Sequence, residues 1–81
     1  MIESEIRQHI IRAIENIAPE IDGDTLDVNV DFREECDLDS MDFLNLVVAM
    51  NKACGVVIPE KDYAKVMSLK AMANYLLERI E

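Results

Sequence analysis

Isoleucine recurs at positions 2, 6, 10, 14 and 17, with Ala13 filling in and charged residues opposite. That is helical spacing, and Pro19 closes the segment. Two more stretches follow the same rule. Ser40 to Ala53 puts Phe43, Leu46, Met50 and Ala53 on one stripe and stops before Gly55. Leu69 to Ile80 turns Leu69, Met72, Ala73, Leu76 and Ile80 inward behind Ser68, a favourable N-cap. Between them, Val56-Val57-Ile58-Pro59 is too brief for a helix, and Glu60 to Lys65 has the length of one or two turns. The connection from Pro19 to Asp39 is long and acidic, and its alternating Val28, Val30 and Phe32 predict an extended run with those side chains tucked in. The expected fold is all-α: a small four-helix bundle with a long first loop and a short third helix, one domain over residues 1–81.

Composition agrees. Apolar residues make up 51% of the chain, but only Phe32, Phe43, Tyr63 and Tyr75 are aromatic, which favours packed helices over a sheet sandwich. The net charge of −9 is uneven. Between residues 20 and 42 ten acids face Arg33 alone, whereas residues 43–81 hold four acids and five bases. Such a field repels nucleic acid and anionic membrane and attracts partners with basic surfaces. A solvated surface that keeps the chain soluble is the plainer reading. Cys36 and Cys54 are too few and too far apart for a zinc site, and nothing at the N-terminus resembles a signal peptide. Free thiols, a cytoplasmic setting, no membrane span and a monomer are expected.

The segment with chemistry is Asp37-Leu38-Asp39-Ser40-Met41-Asp42. Ser40 stands where the acidic loop becomes a helix, so a phosphodiester there would meet unpaired N–H groups and the positive end of the helix dipole. Asp39 or Ser40 acting only as a helix cap explains the same residues. The helix carries a second apolar stripe, Met41, Leu44 and Val48, on the side of Ser40 and separated from the core stripe by Val47. A surface helix needs one such stripe. Two stripes mean either a contact surface for visiting proteins or a helix buried on nearly all sides.

From Asp39-Ser40 through Leu44, Leu46, Met50, Gly55-Val56-Val57-Ile58-Pro59, Val66, Ser68, Leu69 and Tyr75-Leu76, the chain resembles the acyl carrier protein family. The family's attachment motif is usually written Leu-Gly-x-Asp-Ser-Leu, and here Met41 stands for the last leucine. The resemblance implies a carrier, not an enzyme. A phosphopantetheinyl transferase would attach 4'-phosphopantetheine from coenzyme A to Ser40, with Asp39 assisting near the phosphate or its metal. Met41, Asp42, Leu44 and Val48 would meet acyl-loading and acyl-transfer or condensing enzymes through basic docking surfaces. Val66 would face the arm and the partner from the short third helix. The chain departs from the pattern at Asp37 (a glycine in the family), at Cys36 (a leucine), at Asn45 (an acid) and at Phe43, a place that is often small. These departures point to a specialised carrier rather than the housekeeping fatty-acid one. In the family, acyl chains can slip between the helices; Phe43 is expected to fill that entry, so that short or polar groups stay outside the bundle and long chains enter poorly. An aminoacyl or peptidyl carrier is the alternative within the class; an unmodified acidic helical interaction module is the alternative outside it.

Other patterns are set aside. Asp27-x-Asn29-x-Asp31 resembles the first ligands of an EF-hand, but Phe32 and Leu38 stand where glycine and glutamate are needed. His9, the only histidine, reads as a surface residue, and neither cysteine has a histidine placed near it in sequence. No metal site is expected.

Overall fold

The computed structural model describes residues 2–80. Helix α1 spans Glu3–Ile17, α2 is a single turn at Phe32–Glu35, α3 spans Ser40–Cys54 and α4 spans Leu69–Arg79. Two 3₁₀ segments, Gly23–Thr25 and Glu60–Lys65, complete the order. The second is the short third helix expected from sequence, wound more tightly than an α-helix. The described residues contain no strand, only an isolated antiparallel bridge between Asp31 and Ser68.

Helix α1 packs against both α3 and α4. Its stripe Ile6, Ile10, Ala13 and Ile14 is buried, Ile17 is half-buried, and Ile2 is exposed because it lies before the first turn. On α4, Leu69, Met72, Ala73 and Leu76 are buried as expected, joined by Tyr75. On α3 the core stripe shifts by one position. Phe43, Leu46, Val47 and Met50 are buried, whereas Ala53 is exposed near the helix end. Gly55 ends α3 in the left-handed conformation, φ 70°, with its N–H donating to the Asn51 carbonyl at 2.8 Å.

The long connection is not extended. It forms the Gly23–Thr25 turn, a further turn at Val28 and Asn29, and the single turn α2. Val28 and Val30 are only half-buried, while Phe32 is 1% exposed. The alternation misled because turns close locally along the stretch, as in the bonds from Thr25 N–H to Asp22 O and from Val30 N–H to Asp27 O, instead of pairing with a strand. Asp22 and Asp31 cap their own turns by accepting from Asp24 and Arg33 backbone N–H groups. The loop is then tied to the start of α4: Phe32 N–H donates to Met67 O at 2.6 Å and Lys70 N–H to Val28 O at 2.9 Å. These bonds satisfy backbone groups that a buried loop would otherwise leave unpaired.

Close approach at Gly23 fixes the other end of the loop. Its N–H donates to Glu15 Oε2 at 3.3 Å, and a methyl built on it would collide with Ile11 Cγ2. Overpacking of this kind costs about 1–3 kcal/mol, against about 0.4–1 kcal/mol gained by stiffening the unfolded chain. Gly23→Ala should therefore lower the melting temperature by several degrees in a circular-dichroism melt. An unchanged midpoint would mean that Ile11 yields freely.

The Glu60–Lys65 segment is locked to α4 by a buried bond: Tyr75 Oη donates to Asp62 Oδ2 at 2.6 Å. Lys65 Nζ lies 3.4 Å from the other carboxylate oxygen, and the Arg79 guanidinium stacks 3.5 Å over the Tyr75 ring. The Tyr75 bond, with the Lys65 charge and bond adding to it, holds the Asp62 carboxyl below its ordinary range, and the Tyr75 phenol is pushed up chiefly by the same bond. A depressed carboxyl stabilises the fold above its unfolded pKa, about 3.9, and loses that contribution as pH falls through the folded value. A raised phenol stabilises below about pH 10 and loses its contribution as pH rises through its folded value. Tyr75→Phe should thus lower the midpoint at pH 7 and flatten its decline at both extremes. A variant whose profile from acid to alkali overlays the wild type would show that the bond contributes nothing.

Candidate functional site

The start of α3 is built by reciprocal capping. Asp39 is the cap residue: its Oδ1 accepts the Asp42 N–H at 2.8 Å, while Asp42 Oδ2 accepts the Asp39 N–H at 3.4 Å. Phe43 N–H reaches Asp39 O at 2.9 Å and begins the helical ladder. The amides of Ser40 and Met41 have no protein acceptor among the described residues. Ser40 is exposed and is the first helical residue, not the cap. Its hydroxyl makes no hydrogen bond among the described residues. An anion on Ser40 Oγ would thus find two free N–H donors and the positive end of a fifteen-residue helix.

Asp37, where the family pattern has glycine, takes φ 54°. That left-handed turn brings the chain into the capping geometry, and aspartate is among the few residues besides glycine that tolerate it. Leu38 then turns inward, 4% exposed, and pins the loop to the core one residue before Asp39.

Beside Ser40 lies a groove of about 420 Å³, bounded by Arg33, Asp39, Ser40, Phe43, Leu44, Glu60, Tyr63 and Met67. Phe43 meets Tyr63 edge to face, ring centroids 5.3 Å apart and 74° between planes. Arg33 is oriented by Asp31, with Nε to Oδ1 at 3.2 Å and Nη2 to Oδ2 at 3.0 Å. That bond holds the Asp31 carboxyl below the usual carboxylate range and raises the Arg33 guanidinium.

The second stripe of α3 is open: Met41 is 65% exposed, Val48 51% and Leu44 39%. Of the two readings that its periodicity allowed, burial on all sides is thereby excluded. Asp42, on the same end of the helix, is half-buried. Val66 differs from expectation. It is fully buried, because the residues after the 3₁₀ helix turn it into the core beside Leu69, and it offers no surface to a partner. Arg33, Glu60, Tyr63 and Met67 were missed as neighbours of Ser40. Arg33 did carry a signal, as the single base in the acidic segment; Tyr63 and Met67 carried none, since only the tertiary path of residues 60–67 brings them to the groove.

The remaining reactive groups are quiet. Cys36 is buried and Cys54 half-buried, and burial pushes both thiols up, with Glu35 adding to the effect at Cys36. In the Asp27–Asp31 segment, Asp27 Oδ1 accepts Asn29 N–H and Asp31 is taken up by Arg33. No three metal-ligating side chains converge among the described residues. No helix there is long and apolar enough to cross a membrane.

The structure thus presents an exposed serine at the capped start of a helix, on a core of three packed helices. The family model described as "Phosphopantetheine attachment site" matches residues 8–76, and the chain belongs to that family. Its cofactor is a covalent 4'-phosphopantetheine. The chain is also similar to an acyl carrier protein of Rubrobacter xylanophilus, 25% identical over 75 residues, a match covering 89% of this chain and 93% of the relative. Carriers of this kind are modified by a phosphopantetheinyl transferase and work with partner enzymes.

Proposed function

We propose that residues 1–81 act as one acyl carrier domain with 4'-phosphopantetheine on Ser40 Oγ. The observation that carries this reading is the exposed, unbonded Ser40 hydroxyl beside two acceptor-free amides at the capped start of α3. The residues present fit the group: the amides meet its phosphodiester, and the adjoining groove leaves room along which the arm can lie. When bound, the arm supplies a terminal thiol that holds acyl groups as thioesters. Asp39 keeps the helix start in place through its cap bond and lines the groove. The tether replaces a bimolecular encounter by one at high effective concentration.

Partner enzymes, the transferase among them, dock on Met41, Leu44 and Val48, with Asp39, Asp42 and the acidic loop steering basic surfaces toward them. The working form is a cytoplasmic monomer. The test is intact mass after incubation with a promiscuous phosphopantetheinyl transferase and coenzyme A. One added phosphopantetheine supports the carrier reading. An unchanged mass under conditions that modify a control carrier sinks it and leaves the unmodified interaction module.

A further inference from the structure

We propose that Arg33 is the counter-ion of the phosphodiester that joins the arm to Ser40, a positioning residue that Asp31 holds in place for that contact. This rests on Ser40 as the point of attachment. Modification adds a negative charge in the most acidic part of the chain. Asp39 and Asp42 cap the same helix start, and Glu60 borders the same groove as Ser40. Like charges gathered in this way disfavour a further one. Among the described residues, Arg33 is the one base that lines the groove with Ser40. Lys61 and Lys65 lie in the segment on its other side but do not line it, and Lys65 Nζ is drawn to Asp62 at 3.4 Å. Between residues 20 and 42 there is no other base to do the work.

The fold does not need this guanidinium. Asp31 caps α2 by accepting the Arg33 backbone N–H at 2.8 Å, a donor that any residue but proline supplies. The side-chain pair adds to that cap an exposed ion pair, of a kind that contributes little to stability. What the pair does is fix the side chain. Nε to Oδ1 at 3.2 Å and Nη2 to Oδ2 at 3.0 Å hold the planar fork at two points. Both Nη1 hydrogens and the second on Nη2 have no protein acceptor among the described residues. A phosphodiester oxygen accepts from such donors in short, charge-assisted bonds. A side chain already held loses less freedom on meeting it than a free one does.

The test uses the full chain, apo and after loading by a promiscuous transferase with coenzyme A. Intact mass and peptide mapping first establish loading on Ser40; failure there removes the attachment reading and this proposal with it. In the wild type at low salt, loading should shift the Arg33 Nε–H NMR resonance more than those of Arg7, Arg12 and Arg79. Arg33→Gln then separates the two roles open to the side chain. Losing the Asp31 pair lowers the apo and holo melting temperatures alike, so a structural role leaves the holo-minus-apo difference unchanged. Losing the counter-ion should lower that difference by about 1–4 °C, the scale of an exposed charge pair in a domain of this size. The phosphorus resonance of the phosphodiester should move with it. Arg33→Lys, which keeps the charge without the fork, should restore part of the difference. Lys52→Gln removes the same charge at the far end of α3, about 18 Å along the helix, and should leave the difference as in the wild type. An Arg33 resonance that stays in place on loading overturns the proposal while leaving attachment at Ser40 intact. So does a holo-minus-apo difference that is equal in wild type and Arg33→Gln, or a drop that Lys52→Gln reproduces.

Discussion

Ser40→Ala should take up no phosphopantetheine at all, while the wild type gains one group per chain. The prediction is sharp because the structure separates chemistry from folding at this residue. Asp39, not Ser40, is the cap, so alanine at the first helical position leaves both reciprocal cap bonds intact and is itself a good helix former. The variant should melt with the wild type, and the loss would then belong to the missing oxygen. The other hydroxyls lack the setting. Thr25 Oγ1 donates to Asp22 O, and Ser68 Oγ accepts the Ala71 N–H as the cap of α4. Ser4 sits in the first turn of α1 without a side-chain cap. Modification of the alanine variant, or mapping of the group to Ser4, Thr25 or Ser68, would falsify the assignment.

Replacing Leu44 by aspartate should slow modification on the order of tenfold at subsaturating transferase, the scale of losing about 1.4 kcal/mol from a contact at the centre of an interface. Leu44 lies between Met41 and Val48 on the open stripe and is 39% exposed, so the change should leave helical circular dichroism unaltered. The charge contribution needs a gentler probe. Asp42 completes the cap, and a lysine there would both reverse the charge and remove the acceptor for Asp39 N–H. Asp42→Asn keeps an acceptor and should reduce the salt dependence of the wild-type rate, which falls as screening shortens to a Debye length of about 10 Å at 0.1 M. If Leu44→Asp and Asp42→Asn are both modified at the wild-type rate at every salt concentration, docking happens elsewhere.

Much of the site was legible because its determinants are local. Asp39 and Ser40 stand at the junction of an acidic loop and an apolar-periodic segment, and cap chemistry acts within three residues. The left-handed turn at Asp37, φ 54°, was not read from the sequence, where the aspartate counted only as a departure from the family's glycine. Val66 was misjudged because its determinants are not local. Its facing depends on how a six-residue 3₁₀ helix settles against α4, and that is decided by the Tyr75–Asp62 bond thirteen residues apart in sequence.

The amino-acid order alone determined the three long helices, the stop of the first at Pro19 and of the second before Gly55, and a serine at a helix start with a second apolar stripe beside it; that the stripe is exposed, the structure decided. Periods of 3.6 residues and caps are properties of short windows, so no tertiary knowledge was needed. Folding in three dimensions decided the path of residues 19–39, where alternating valines indicated an extended run and local turns won. It decided that Val47 is buried and Ala53 exposed, since only the packing of α1 against α3 sets which edge of a broad apolar face meets the core. It also brought Arg33, Tyr63 and Met67 to Ser40, from two separate stretches of chain. A groove depends on distances between segments, and those follow from packing and long-range hydrogen bonds that no local pattern encodes.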